Sequence, residues 1–196
     1  MNIVSRGPDI VVNANVMLQM RERGKIVRGS RREGHNVFTN NGRNLLTKLL
    51  SWQTIDATDI PYTNRRTRWI GVGTGSQLEV PSVESLHQPH LVTPTNYLVE
   101  VQTVAFPSPT SVSYSREFGY SDITVTGAPV TVTEAGMYAD VSPANMGGTE
   151  DTGFGVPTDT TLDPTVGSNS PITYKAFEGL TKTIDFTLEI TWIFRF

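Results

Sequence analysis

A chain of 196 residues can bury a sizeable core without covalent staples, and this one has no cysteine, which excludes disulfides, thiolate metal sites and a cysteine nucleophile. No apolar run approaches the ~18 residues of a membrane-spanning helix. The net charge of −3 hides a split: residues 1–68 carry 12 Lys and Arg against 5 Asp and Glu, a balance of +7, and residues 69–196 carry 4 against 14, a balance of −10. Such asymmetry fits a basic nucleic-acid arm, one copy's basic surface docking on a neighbour's acidic one, or two solvated faces.

The opening MNIVSRGPDIVV has no basic segment followed by a long apolar one, so no signal peptide is expected. Over 10–20, Val12, Ala14, Val16, Leu18 and Met20 share one face of a half-buried strand. RERGK (21–25) supplies a turn, and 10–33 reads as a hairpin. Arg21, Arg23, Lys25, Arg28, Arg31 and Arg32 crowd it, with no aromatic among them to stack a base. That weighs against nucleic acid and favours an acidic protein surface.

NNGRNLLTKLLSW (40–52) predicts one short helix, its body over about 42–52, capped by Asn40 or Asn41. Leu45, Leu46, Leu49, Leu50 and Trp52 form a stripe that packs on a sheet.

IGVGTGSQLEVP (70–81) superficially suggests a phosphate loop. A dinucleotide fingerprint would need glycine where Ser76 stands, Pro81 falls where a helix should run, and no lysine follows as a P-loop requires. The better reading is a strand over Trp69–Gly73 ending in a turn, with glycine where backbones approach closely. His87 and His90 flank Pro89 in an extended segment with no carboxylate to complete a metal site, and His35 stands alone.

From 104 onward the chain is β-like. SVSYSREF (111–118), DITVT (122–126) and PVTVTEAGMYA (129–139) read as strands. Residues 142–171 form a long turn-rich loop whose Glu150, Asp151, Asp159 and Asp163 lack the order of a calcium loop. In KTIDFTLEITWIFRF, Ile184, Phe186, Leu188, Ile190, Trp192, Phe194 and Phe196 alternate with Thr183, Asp185, Thr187, Glu189 and Thr191, predicting one long strand. No G-x-S-x-G elbow or other catalytic constellation is present. The expectation is therefore a mainly β chain of one domain over 1–196, an antiparallel sandwich or barrel with one packed helix. No catalytic, cofactor-binding or metal-binding residue is assigned, and no small-molecule ligand is expected.

Four segments in order carry a resemblance. They are Asn36, Asn40, Gly42 and Leu46; Ile70, Gly73 and Gly75; Glu134, Gly136 and Tyr138; and Lys182, Thr183, Leu188, Ile190, Trp192, Ile193 and Phe194. Together they cover about half the chain and resemble a group of structural proteins of tailed-bacteriophage virions. The resemblance implies a non-enzymatic building block, assembled in the host bacterial cytoplasm and located in the virion. Its implied partners are other virion proteins and copies of itself, with no membrane. The tail, baseplate or neck is one expected place, and capsid decoration, cement or a head-fibre base another. A different class, a host-glycan-binding sandwich module, would need Tyr114, Tyr120, Tyr138 and Phe154 as exposed aromatics. The residues expected to hold the fold are Leu46, Leu49, Trp52, Trp69, Phe186, Leu188, Ile190 and Trp192.

Overall fold

Period-two alternation of apolar side chains builds two antiparallel sheets, as expected of a β-sandwich. The computed structural model describes residues 13–40, 42–43, 67–139 and 171–196. The first sheet holds β1 (Asn13–Glu22), β2 (Lys25–Ile26), β3 (Arg32–His35), β8 (Thr103–Ser108), β9 (Ser111–Phe118) and β12 (Thr187–Arg195), in the order β2-β1-β12-β9-β8, with β3 also on β1. The second holds β4 (Val37–Phe38), β5 (Thr67–Gly73), β6 (Pro89–His90), β7 (Leu98–Glu100), β10 (Val130–Ala139) and β11 (Thr173–Lys182), in the order β4-β11-β10-β5-β6, with β7 on β5.

β1 turns its buried Ala14, Val16 and Leu18 inward. Arg23 (φ 49°) and Gly24 (φ 80°) then supply two consecutive left-handed residues, whose twist suits a tight hairpin. The return strand is split. β2 pairs with the end of β1, Ser30 bonds back to Met20 and Val27, and β3 pairs with the middle of β1. The expected hairpin is present from residue 13 onward, with its return in two pieces.

β12 is the central strand of the first sheet. Its Trp192, Ile190 and Phe194 lie opposite Val16, Leu18 and Ala14 of β1, and Phe194 packs edge-on against Phe38 and Tyr114. Leu188, Ile190 and Trp192 are fully buried, as predicted for structural residues; Trp69 and Phe186 are half-buried.

Three sequence expectations need correction. The long C-terminal strand is really the end of β11, a turn, and β12. Thr183 Oγ1 accepts from the Asp185 amide at 3.2 Å, which offers the backbone a local alternative to the ladder and leaves Ile184 55% exposed. DITVT is not a strand. The Asp122 carboxylate accepts from the Gly119 amide at 2.8 Å, and Ile123 sits at φ 69° with its side chain wholly buried. That φ costs a β-branched residue roughly 1–3 kcal/mol, which burial of the side chain offsets at about the same scale. Finally, the helix start at Asn40 is capped by Thr39, whose hydroxyl accepts from the Gly42 amide at 3.2 Å. The stripe from Leu45 to Trp52, including Leu46 and Leu49, lies outside the described residues, as does the loop at 142–170.

Because Trp192 fills the centre of the main core, Trp192→Ala should cost about 3–5 kcal/mol, a large share of a typical stability of roughly 5–15 kcal/mol. Trp192→Phe should cost far less, since the indole nitrogen has no hydrogen-bond partner to lose. Urea unfolding of both variants checks this; an unchanged midpoint for the alanine variant would contradict the packing described.

Candidate functional site

The second sheet buries both faces. Ile70, Val72, Val132, Ala135, Met137 and Leu180 face the first sheet. Trp69, Tyr138, Tyr174 and Ala176 face the other way and pack with Val80, Val83 and Leu86 of the long connection from β5 to β7 and with Leu98 of β7. That connection roofs the outer face. The β10–β11 ladder breaks register between Val132 and Glu134, and the inward residues jump from Val132 to Ala135. The irregularity leaves Glu134 on the roofed face.

There Glu134 is fully buried. Its carboxylate accepts from the Gln88 amide at 2.8 Å, the His87 amide at 3.0 Å and the Tyr174 hydroxyl at 2.9 Å. A buried carboxylate is costly unless donors surround it, and these three do so without a formal cation. The Gln77 amide donates to the Tyr174 hydroxyl at 3.2 Å, and Thr133 donates to the Gly75 carbonyl, so the roof is tied down along its length.

Glycine makes room for this. Gly73 lies opposite Glu134 and Gly71 opposite Gly136. A Cβ on Gly73 would meet the Gln88 carbonyl at 2.6 Å and the Glu134 carboxylate; one on Gly71 would meet Leu98 at 2.7 Å. The expectation that this glycine run marks close backbone approach therefore holds.

Burial, then the neighbouring Glu134 and Tyr174, push the Tyr138 phenol well above its ordinary value. Burial and Glu134 likewise raise Tyr174, against an opposing hydrogen bond from the Gln77 backbone. A second polar tie sits at the sandwich end. Buried Lys182 donates to the Tyr120 carbonyl at 3.0 Å and the Thr183 carbonyl at 3.3 Å, holding the 119–129 segment. Burial lowers its pKa, partly countered by Asp122.

Three of the four resemblance segments thus have visible work. Gly73, Gly75, Glu134, Gly136 and Tyr138 converge on or beside one packed site, Ile70 packs between the sheets, and Lys182 anchors a second tie. Sequence reasoning did not single out Tyr174, or Glu79, which bonds Lys175 at 2.8 Å. The available signal was a lone carboxylate, Glu134, in the otherwise uncharged VTVTEAGMYA.

His90 bonds the Ile123 carbonyl at 2.9 Å, and His87 contributes its backbone amide. His35 lines an open groove of about 390 Å³ with Asn15, Met17, Glu33, Ile193 and Arg195 on the first sheet. Among the described residues no group of three or more His, Cys, Asp or Glu is placed to hold a metal. Of the glycan candidates, Tyr138 is buried, Tyr114 packs on Phe194 and Tyr120 is about half exposed, so these three form no common platform; Phe154 lies outside the described residues, as do Glu150, Asp151, Asp159 and Asp163. The arrangement around Glu134 is a latch between sheet and loop. Comparison with known proteins finds no matching family model, curated protein or solved structure.

Glu134→Gln places an amide donor where only acceptors fit and should cost ~1–3 kcal/mol. Gly73→Ala should cost a similar ~1–3 kcal/mol through overpacking. In both, limited proteolysis should cut within 74–88 at denaturant concentrations that leave the rest folded; an unchanged cleavage pattern would contradict the latch. Alkaline behaviour follows from the phenols. Raised above their unfolded value of about 10, they contribute stability that is complete below that pH and is lost as pH climbs through the folded values. Ultraviolet titration should find Tyr138 and Tyr174 ionising only together with unfolding; ionisation of both in folded protein near pH 10 would contradict it.

Proposed function

We propose that this chain is a non-enzymatic structural component of a tailed-bacteriophage virion, placed in the tail, baseplate or neck and acting through contacts with copies of itself and with other virion proteins. One observation carries the reading. Residues of three of the resemblance segments, which in an enzyme would be candidates for chemistry, are spent on internal ties: Glu134 on two amides and a phenol, Lys182 on two carbonyls, Gly73 and Gly75 on close packing. Such residues shape a rigid block and leave recognition to its surface.

The charge distribution supports the same reading. Arg23, Lys25 and Arg28 are exposed around the β1–β2 turn, while most acidic residues lie after residue 69. Opposite charges that meet between neighbouring subunits set the register between them. No aromatic residue lies among these cations to stack a base.

Quantitative mass spectrometry of purified particles of the phage encoding the chain tests the proposal. It should be present at roughly tens of copies or fewer, the range expected of a ring or baseplate of closed symmetry. A count in the hundreds would move it to the capsid surface as a decoration protein. Absence from washed particles would overturn the proposal.

A further inference from the structure

The inward row of the first sheet runs Val16, Trp192, Tyr114, Val104 across four strands. Its burial falls along that row: the first two are buried, Tyr114 is half-buried and Val104 is 49% exposed. β8 thus reaches past the cover of the second sheet. All six of its residues are exposed, including Phe106 at 78%, and its outer edge pairs with no described strand. Phe196, 56% exposed, is tied beside the same hairpin by its amide to the Thr110 carbonyl at 2.9 Å.

Edge strands of soluble proteins are ordinarily guarded by charge, proline or a bulge. Here Pro107 and the register shift between Ala105 and Ser108 guard only the lower half. Thr103–Ala105 has no guard. From Thr103 to Ser115 the chain has no charged residue, although 18% of all its residues are charged.

We propose that β8 is a self-association edge, pairing antiparallel with β8 of a second copy across a two-fold axis near Val104. Charge selects this occupant. A neutral strand meets its own copy with no like-charge repulsion, whereas a strongly basic or acidic partner finds nothing on this edge to pair with. The opposite edge of the sheet, formed by β2 and β3, is charged, with Lys25 in β2, Arg32 and Glu33 in β3, and Arg23 and Arg28 beside them. Two-fold pairing joins both first sheets into one continuous sheet, sets Val104 of each copy beside the other and places the exposed Phe106 of one across from Gln102 of the next. Symmetric, self-complementary contacts of this kind are the commonest route to dimers. The inference rests on the building-block reading above and names the contact by which copies meet.

The chain's lack of cysteine makes the test clean. Val104→Cys and Ala105→Cys, made separately, place thiols near the proposed axis, with the exposed Ser82→Cys as a collision control. Under mild oxidation at least one of the first two should give disulfide-linked dimers in high yield while Ser82→Cys does not. Phe106→Lys puts a charge on an already exposed position, so the fold should be retained, and light scattering should find dimerisation weakened about ten-fold or more. Oligomers that form no cross-link at either position and ignore Phe106→Lys would overturn the proposal and leave the building-block reading standing. A monomer whose β8 amides exchange freely would also overturn it, leaving the edge to a strand of another protein. Absence from purified virions, by contrast, defeats the building-block reading without touching the pairing.

Discussion

A carboxylate with no formal cation among its bonded partners, buried between a sheet and the loop that covers it, is the constraint on which the second half of this structure depends. Glu134 must find donors once it is out of water. It finds them in the amides of His87 and Gln88 and in the Tyr174 hydroxyl, which come from two different parts of the chain. Satisfying one side chain therefore fixes the path of the β5–β7 connection and the position of β11 together. The glycines follow from the same demand, because a Cβ on Gly73 would occupy space held by the carboxylate and the Gln88 carbonyl.

The result is a protein with two apolar layers on one sheet. The layer between the sheets is the larger, centred on Trp192, Ile190, Met137 and Ile70. The layer under the roof is smaller, with Tyr138, Tyr174, Leu86 and Leu98. Lys182 plays at the sandwich end the part that Glu134 plays on the outer face, donating to the Tyr120 carbonyl of the 119–129 segment and to the carbonyl of its neighbour Thr183. Both ties use up polar groups inside the protein. At the surface, a basic turn lies at one margin of the first sheet and an uncharged, exposed strand at the other.

How much of this was legible in the sequence differs by element. β9, β10 and the hairpin at β1 were readable because one buried face writes a period-two pattern directly. The same pattern misled at the C-terminus, where Ile184 and Phe186 keep the alternation through a turn that Thr183 and Asp185 stabilise by side-chain bonds. DITVT failed for a related reason: its β-branched residues fit a strand, but Asp122 captures the Gly119 amide and Ile123 is buried from a left-handed turn. The glycines at 71 and 73 could be read as a close approach. What approaches them could not, because Glu134 and Gln88 meet them only through strand register and loop path, which no local pattern encodes. Tyr174 was invisible for the same reason.

Hydrogen exchange at two backbone amides tests the latch most directly. If His87 and Gln88 donate to a buried carboxylate, their amides in the native protein should exchange as slowly as those of β10 and β11, although they lie in a connection between strands. Exchange at the rate of an open loop, with β10 still protected, would contradict the account.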